Sequence, residues 1–337
     1  MSRRPSTGSG PLRPLPGPAA DVLAGGVLCH LAVATSSGPH VTPVVYAVHA
    51  SRLWVTTARQ SVKARAWRRD PRVSGLVREG SLALSFLGRV VSYDLLDPAT
   101  WLPSALAVPT ITLAAARFTA RNARFFAGYA VDARRVPLAW TPPGRVFAGI
   151  DLEAAAVLDI ASGRVVHSWG WPIGTRRELP SRSAFPRSAP RAGPLAAVPR
   201  DVRERIGEAN EATVSAMAPG GWPVVLPARW AADDGLSVAV LPRSFLDLAA
   251  PEGATIGAAV TVDRASAWRA RAMTGVLLRG EAGVIAPRRL RSGIRAAAAW
   301  IGRAGAAMDL DEAVLLALRA RSAVWWRGWA SGTVAAP

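Results

Sequence analysis

The residues best suited to chemistry lie around Lys63, which is the one lysine among the 41 lysines and arginines of the chain. A strand-like stretch, residues 52–57, leads through Arg59, Gln60 and Ser61 into a short helical pattern. The start of a helix presents backbone N–H groups, and hydroxyl and ammonium groups beside it add donors and positive charge. This combination predicts a site for an anion, such as a phosphate group.

The elements that would position this segment recur in the second half of the chain. Residues 31–46 are typical of an apolar strand, a glycine turn and a second strand entered through Pro39 and Pro43, and residues 215–230 repeat the pattern with Pro223 and Pro227. Third strands follow at 53–57 and 236–241, and a hairpin at 82–89 has a counterpart at 273–281. Short strands with glycine turns predict antiparallel barrels. The duplication predicts two such barrels, packed like the subunits of a dimer.

These patterns divide the chain into four parts: a disordered tail (1–20), a barrel domain (21–173), a linker (174–200) and a second, degenerate barrel domain (201–337). The first barrel carries a helical insert at 97–143, with Phe118, Phe125 and Phe126 at helical spacing. Helical composition also marks 201–211. Two further helices are predicted at 288–321, the second beginning at Asp309, and a closing strand at 324–329.

The composition limits the class of protein. Half of the 337 residues are hydrophobic, so the chain is expected to fold around real cores. No stretch of about eighteen apolar residues is uninterrupted, and no membrane span is expected. The most apolar run, at 101–116, is broken by Pro103 and Pro109. The single cysteine, Cys29, excludes an internal disulfide and favours a cytoplasmic protein.

The formal net charge of +18 favours anionic ligands in general. The arginines are spread over the whole length instead of forming one stripe with aromatic residues, so dedicated nucleic-acid binding is not predicted. The lysine follows Val62, so the Gly-Lys pair of a nucleotide-hydrolase phosphate loop is missing. The histidines, at positions 30, 40, 49 and 167, show no metal spacing. An axial haem or proton-transfer role stays open for His40 and His49.

Residues 27–91 resemble the pyridoxamine 5′-phosphate oxidase-like flavin-binding split-barrel superfamily. The resemblance is carried by the order and spacing of five features: the hairpin through Pro39 and Pro43, the Thr56-Thr57 strand end, the Ser61-x-Lys63 turn, Asp70-Pro71-Arg72-Val73, and the hairpin ending at Gly88-Arg89. It implies a six-stranded antiparallel split barrel that usually dimerises. It also implies FMN, or the deazaflavin coenzyme F420, at the subunit interface.

The resemblance also implies which residues contact the cofactor. The isoalloxazine ring would have Thr42, Pro43 and Val44 passing beneath it. The ribityl or phosphate end of the cofactor would be reached by Thr56 and Thr57. The phosphate would be held by Ser61 and Lys63, with Arg59 or Gln60 nearby. In the second half, 242–247 replaces the Ser-x-Lys turn and includes Asp247, which would repel a phosphate. One phosphate pocket per chain is therefore expected.

By resemblance, the expected function is that of a flavin- or deazaflavin-dependent oxidoreductase, with hydride transfer to or from an unidentified small molecule. The cofactor carries that chemistry and the protein binds and orients it, so no catalytic residue is named. The long insert departs from the family, and the residues that bind pyridoxamine phosphate are not recognisable, so that activity is not implied. The alternatives are a non-catalytic flavin- or haem-binding barrel and a barrel without cofactor. The chain is expected to be a monomeric pseudo-dimer or a homodimer.

Overall fold

A computed structural model describes residues 15–94, 96–131, 144–171, 193–207, 211–218, 220–233, 236–242, 245, 255–264, 273–285, 313–328 and 330–335. In these ranges the chain is mainly β, with fourteen strands in two antiparallel sheets and six short α-helices. The predicted mainly β class with added helices is confirmed.

The first sheet contains seven strands: β1 (Leu28–Thr35), β2 (Gly38–His49), β3 (Arg52–Ala58), β4 (Arg72–Glu79), β5 (Leu82–Tyr93), β6 (Arg145–Asp159) and β7 (Arg164–Trp169). Their order is β3-β2-β1-β4-β5-β6-β7, and β3 also pairs with β6. Strands β1 to β6 therefore close into a six-stranded antiparallel barrel, here named the N-terminal barrel. The alternation of side chains along each strand places one set of apolar residues inside it.

The second sheet, here named the C-terminal sheet, contains β8 (Glu211–Met217), β9 (Pro223–Asp233), β10 (Leu236–Pro242), β11 (Thr255–Arg264), β12 (Thr274–Ile285), β13 (Ala313–Arg327) and β14 (Ala330–Ala335). Its order, β10-β9-β8-β11-β12-β13-β14, repeats that of the first sheet, and β10 pairs with both β9 and β13. The repeated sequence pattern falls on the hairpins β1–β2 and β8–β9.

Both sheets have a β-bulge at an equivalent glycine. The pairing of β5 with β6 shifts register at Leu87/Gly88, and the pairing of β12 with β13 shifts at Arg279/Gly280. A Cβ atom on either glycine would collide with a carbonyl oxygen of the neighbouring strand. Glycine is therefore required where the two backbones approach closely. The sequence correspondence of 82–89 with 273–281 thus reflects a shared backbone feature.

The two halves pack against each other around one apolar cluster that draws buried residues from both sheets, among them Val41 and Leu87 from the first and Val225 and Val260 from the second. Buried and part-buried polar contacts cross this contact surface. Ser85 Oγ donates to the Val225 carbonyl at 2.5 Å, Thr261 Oγ1 donates to the Val41 carbonyl at 2.6 Å, His30 Nε2 lies 2.9 Å from Asp263 Oδ1, and Arg78 Nη2 donates to the Ala212 carbonyl. The polar groups fix the relative position of the halves, because a shift would leave them unpaired in an apolar setting.

The helices are α1 (Gly17–Gly25), α2 (Val62–Trp67), α3 (Trp101–Leu106), α4 (Val108–Arg121), α5 (Ala123–Val131) and α6 (Arg200–Gly207). A short 3-10 helix, Pro98–Thr100, precedes α3. Helices α3, α4 and α5 form the predicted insert as far as residue 131, and residues 132–143 lie outside the described ranges. Helix α4 packs on the N-terminal barrel through Ala114 and Phe118. Helix α6 confirms the helical composition noted at 201–211 as far as residue 207, residues 208–210 lie outside the described ranges, and Glu211 begins β8.

Two predicted boundaries need correction. Residues 17–20, assigned to the disordered tail, form the first turn of α1, which Pro18 favours at its start and which buries Val22 and Leu23 against the barrel. Residues 193–200, assigned to the linker, include the 3-10 helix Pro194–Ala197 and the first residue of α6. Apolar burial of Pro194 and Val198 fixes this part of the segment. Residues 1–14 and 172–192 lie outside the described ranges.

The prediction of a C-terminal helix is wrong for residues 313–321, which belong to β13. The segment is rich in alanine, leucine and arginine, which favour helices in isolation. It nevertheless pairs with β10 on one edge and with β12 on the other. Pairing on both edges outweighs the modest intrinsic helix preference of such residues. The rest of the predicted helical region, 288–312, lies outside the described residues.

Candidate anion-binding site

Two hydroxyl groups lie side by side where β3 turns into α2. Ser61 is the N-cap of α2, and its Oγ accepts a hydrogen bond from the Ala64 N–H at 3.1 Å. The same Oγ lies 3.0 Å from Oγ1 of Thr57, a buried residue at the end of β3. Ser61 therefore stabilises the start of the helix, as its residue type predicts, and it also points a hydroxyl towards its neighbour on β3.

Lys63 turns its ammonium group inward from α2. The residue is only 5% exposed, and Nζ donates a hydrogen bond to Oγ1 of Thr42 on β2. No carboxylate in the described part of the chain forms an ion pair with it. Lys63 is therefore not a solvent-exposed lysine on the outer face of the helix. The ammonium group instead lies in the protein interior without a countercharge.

Burial lowers the pKa of Lys63 to about 7, the neighbouring Cys29 thiol opposes the shift, and the positive charge of Arg145 adds to it. An ammonium group that leaves water for apolar surroundings without an opposite charge is disfavoured. An anion beside it would supply that charge and raise the pKa again. The protonated site therefore favours an anionic ligand.

The three predicted residues of β2 face in two directions. Side chains alternate across a strand, so Thr42 and Val44 share one face and Val41 and Pro43 share the other. Val44 packs against the apolar cluster inside the N-terminal barrel, whereas Val41 belongs to the cluster shared with the C-terminal sheet. Thr42 therefore contacts Lys63 from the barrel interior. Pro43 lies on the face directed towards the second half.

The other predicted residues have partners elsewhere or are exposed. Arg59 forms an ion pair with the buried carboxylate of Asp94. Thr56 Oγ1 donates to a backbone carbonyl of β6 at 3.1 Å and accepts from Arg145 Nε at 3.0 Å. Gln60 is exposed. The charge of Arg59 is already compensated, so it adds little to the attraction of an anion.

Of the nine predicted site residues, the structure brings four together around the start of α2, in two hydrogen-bonded pairs: Thr42 with Lys63, and Thr57 with Ser61. The equivalent turn in the C-terminal half, 242–247, lies largely outside the described residues, so the expectation of a single pocket stays a prediction. Within the described ranges, no group of three or more His, Cys, Asp or Glu side chains could hold a metal ion.

Sequence reasoning missed His40 as a neighbour of this site. It is 7% exposed, and burial lowers its pKa well below the usual value, with the positive charges of Lys63 and Arg279 adding to the effect. Its Nδ1 has no hydrogen-bond partner among the residues that the structure describes. His40 precedes Thr42 by two positions on β2, so both side chains share a face. That alternation is the signal in the sequence that could have identified it.

Arg279 of β12 brings positive charge from the C-terminal half. Its Nη1 donates to Oγ of Ser37, in the turn between β1 and β2, at 3.3 Å. Its Nε is buried and has no hydrogen-bond partner in the described ranges, and burial lowers the pKa of the guanidinium group. Arg279 occupies the bulge position that Leu87 occupies in the first half. A charged residue in place of an apolar one within the repeat was the available signal.

Residues 18–84 match the family model described as "Pyridoxamine 5'-phosphate oxidase". No curated protein matches the chain significantly. Several solved structures are similar. One is a pyridoxamine 5′-phosphate oxidase-related, FMN binding protein from Nostoc punctiforme PCC 73102, with 17% identity, a TM-score of 0.33, and coverage of 44% of this chain and 85% of that chain.

A conserved hypothetical protein from Mycobacterium tuberculosis is similar at 23% identity and a TM-score of 0.31, covering 46% of this chain and 90% of that chain. An F420 reductase is similar at 18% identity and a TM-score of 0.28, covering 42% of this chain and 98% of that chain. Structural likenesses this weak transfer neither a ligand nor an activity. The family model and the six-stranded barrel agree with the resemblance predicted from the sequence. The match to the pyridoxamine 5′-phosphate oxidase family therefore covers residues 18–84 of the 337 residues.

Proposed function

We propose that the chain binds the phosphate group of FMN or F420 at Lys63 and acts as a flavin- or deazaflavin-dependent oxidoreductase. The observation that carries the proposal is the buried ammonium group of Lys63, which forms no ion pair with a carboxylate in the described ranges. A cofactor phosphate would supply the missing negative charge, and the hydroxyls of Thr57 and Ser61 would add donors. The family model over residues 18–84 supports the same cofactor class.

We further propose that the C-terminal sheet is a second, degenerate split barrel that closes this site as the second subunit does in a dimer. The repeated strand order, the pairing of β10 with both β9 and β13, and the shared glycine bulge support this architecture. Arg279 would then contribute to the site from the position of a partner subunit. The chain would work as a monomeric pseudo-dimer on an unidentified small molecule.

The bound cofactor would supply the hydride chemistry, and the residues of this chain would bind it, orient it and exclude water. Lys63 and the start of α2 would hold the phosphate. The face of β2 that carries Pro43 would support the ring system next to the C-terminal half. His40 stays neutral near pH 7 because its pKa is low, so its imidazole would serve as a hydrogen-bonding group rather than as a second positive charge.

Titration of the purified protein with FMN and with F420, followed by absorbance, tests the proposal. We expect Lys63→Ala to weaken cofactor affinity about tenfold or more, because a charge-assisted hydrogen bond to the phosphate is lost. Arg65→Ala, which changes an exposed residue of the same helix, is the matched control and should leave the affinity within about twofold. A change of less than about threefold for Lys63→Ala, roughly 0.7 kcal/mol, would contradict the phosphate assignment.

Adding a reductant to the cofactor-bound protein distinguishes an enzyme from a non-catalytic carrier of the cofactor. An oxidoreductase should bleach the bound flavin band when a reductant is added and recover it when an acceptor is added. A protein that holds its ligand tightly without turnover would support the non-catalytic alternative. A Soret band in the purified protein would indicate haem instead.

A further inference from the structure

The outer face of the insert exposes a group of large apolar side chains, here named the insert patch. It consists of Trp101, Leu102, Leu106, Val108 and Leu113, which are 57%, 72%, 80%, 53% and 56% exposed. These residues lie on α3 and on the first half of α4. Single exposed apolar residues are common, whereas groups of this kind mark surfaces that contact another molecule or a membrane.

The packing of the insert on the barrel does not require this patch. Helix α4 already buries a separate stripe, which includes Ile111, Ala114 and Phe118 at helical spacing. Ala114 and Phe118 are 0% and 4% exposed and pack on β2, β3 and β5. Helix α4 therefore presents apolar residues on two faces, and only one of them packs against other residues that the structure describes.

The surroundings of the patch are positively charged. Between residues 98 and 131 the sequence contains no Asp or Glu and three arginines, Arg117, Arg121 and Arg124. The ion pair of Arg68 with Asp97, at 4.0 Å, brings α2 next to the start of the insert. Arg65 on α2 and Arg69, just after the helix, are also exposed. An apolar centre with a basic rim is complementary to a surface with apolar tails and anionic headgroups.

We propose that the insert patch docks this protein on the surface of a membrane that contains anionic lipids. Trp101 and the leucines would enter the boundary between headgroups and acyl chains, and the exposed Arg65 and Arg117 would contact lipid phosphates. Self-association through this face would bring two basic rims together, and their repulsion argues against a second copy as the occupant. The inference is independent of the proposed cofactor site.

A neighbouring cleft supports the same chemistry. A cavity of about 340 Å³ lies between α1, β2 and α4, and its lining includes Leu23, Ala47 and Val48 together with Arg117 and Arg121. Its apolar lining and the guanidinium group of Arg117 fit an acyl chain with an anionic head, whereas Arg121 Nη2 donates to the backbone carbonyls of Leu23 and Ala24. Among the described residues no single helix is long and apolar enough to cross a membrane. The helices at 98–106 and 108–121 taken together have the length and composition of a membrane span, but they are bent by 90° relative to each other.

Co-sedimentation of the full chain with lipid vesicles tests this docking surface. The protein is expected to bind vesicles of phosphatidylglycerol and phosphatidylcholine about tenfold more tightly than vesicles of phosphatidylcholine alone, because the arginines add electrostatic attraction. Raising the salt from about 50 mM to about 300 mM should weaken the binding. Equal affinity for both vesicles, or no binding to either, overturns the proposal.

A paired variant locates the surface. Leu102→Ser combined with Leu106→Ser should reduce binding to the anionic vesicles about tenfold, because the apolar anchor is removed. Val166→Ser, at an equally exposed apolar position (57%) on β7, is the matched control and should bind as the unmodified chain does. Unchanged binding of the double variant overturns the proposal. The proposal is also overturned if sedimentation velocity shows that the unmodified chain is a dimer and the double variant is a monomer, because a second copy would then cover the patch.

Discussion

At the scale of single residues, the buried ammonium group of Lys63 is expected to lower the stability of the cofactor-free protein and to favour ligand binding. Burial of its ammonium group without a carboxylate partner in the described ranges disfavours the folded state of the cofactor-free protein. The same unpaired charge would attract a cofactor phosphate. A residue with a purely structural role would behave differently, because its removal would lower stability.

We therefore expect Lys63→Met to raise the unfolding free energy of the cofactor-free protein at pH 7, while it weakens cofactor binding about tenfold or more. The thioether fills similar space and needs no countercharge. Urea unfolding of the cofactor-free forms, with cofactor titration of the same samples, measures both effects. A variant that is less stable than the unmodified protein would show that the ammonium group supports the fold.

The lowered pKa of Lys63 predicts how stability depends on pH. The folded value of about 7 lies below the usual value of 10.5, so between these values the unfolded chain binds more protons than the folded chain. The stability contributed by this residue therefore rises with pH from about 7 to about 10.5, and below pH 7 its unfavourable effect is fully present. Unfolding curves of the protein and of Lys63→Met across this range should diverge towards low pH. Parallel curves would contradict the assignment.

Cofactor affinity should depend on pH in the opposite sense. Phosphate binding needs the ammonium form, and that form is lost as the pH rises through the pKa of about 7. We expect the affinity for the cofactor to fall above neutral pH, with proton uptake when the cofactor binds. Isothermal titration in two buffers of different ionisation enthalpy measures that uptake. Affinity that stays constant from about pH 6 to about pH 9 would contradict the prediction.

The residue types around Lys63 were sufficient to predict part of the candidate site, whose ligand stays a prediction. A hydroxyl at an N-cap and a lysine in the first turn of a helix are local features, so Ser61 and Lys63 could be identified from their spacing. His40 and Arg279 approach from distant parts of the chain, and their proximity depends on strand register and on the packing of the halves. The carboxylate that pairs with Arg59 is 35 positions away and could not be assigned from the sequence.

At the scale of elements, α4 joins a buried stripe to an exposed apolar face. Phe118 is 4% exposed and makes an edge-to-face contact with Phe147 at a centroid distance of 5.7 Å. The helix therefore holds the insert on the barrel through one set of residues. The other set is left available for an external contact.

Phe118→Ala should destabilise the protein by about 3 kcal/mol, because it removes a buried aromatic side chain and leaves a cavity. Leu113→Ala changes an exposed residue of the same helix and should stay within about 0.5 kcal/mol. Chemical denaturation of both variants makes the comparison. Equal losses for the two variants would show that the exposed face also contributes to folding.

The elements themselves were predicted unevenly from the sequence. Strands with alternating apolar residues and glycine turns, such as β1 to β3, were recognised because their pattern is local. Strand β13 was mistaken for a helix over residues 313–321, because its alanines, leucines and two arginines favour that conformation in isolation. Its pairing with both β10 and β12 is a long-range property that no local pattern reports.

At the scale of the whole molecule, the contact surface between the halves joins them into one unit. Thr261 Oγ1 donates to the Val41 carbonyl at 2.6 Å in the buried contact surface. Thr261→Val keeps the volume but leaves that carbonyl without this donor, so we expect a loss of about 1–2 kcal/mol. Thr333→Val on the exposed edge strand β14 is the control and should have little effect. A near-neutral Thr261→Val variant would indicate that the halves do not depend on this contact.

The covalent link between the halves has a consequence for how such a site can change. In a symmetric homodimer every substitution appears in both subunits, so a mutation that improves one side of an interface also changes the equivalent residue on the other side. Here a mutation changes only one side, and the bulge already shows the result, with Leu87 on one half and Arg279 on the other. Because the two halves are joined in one chain, each half can change at such a position without an equivalent change in the other.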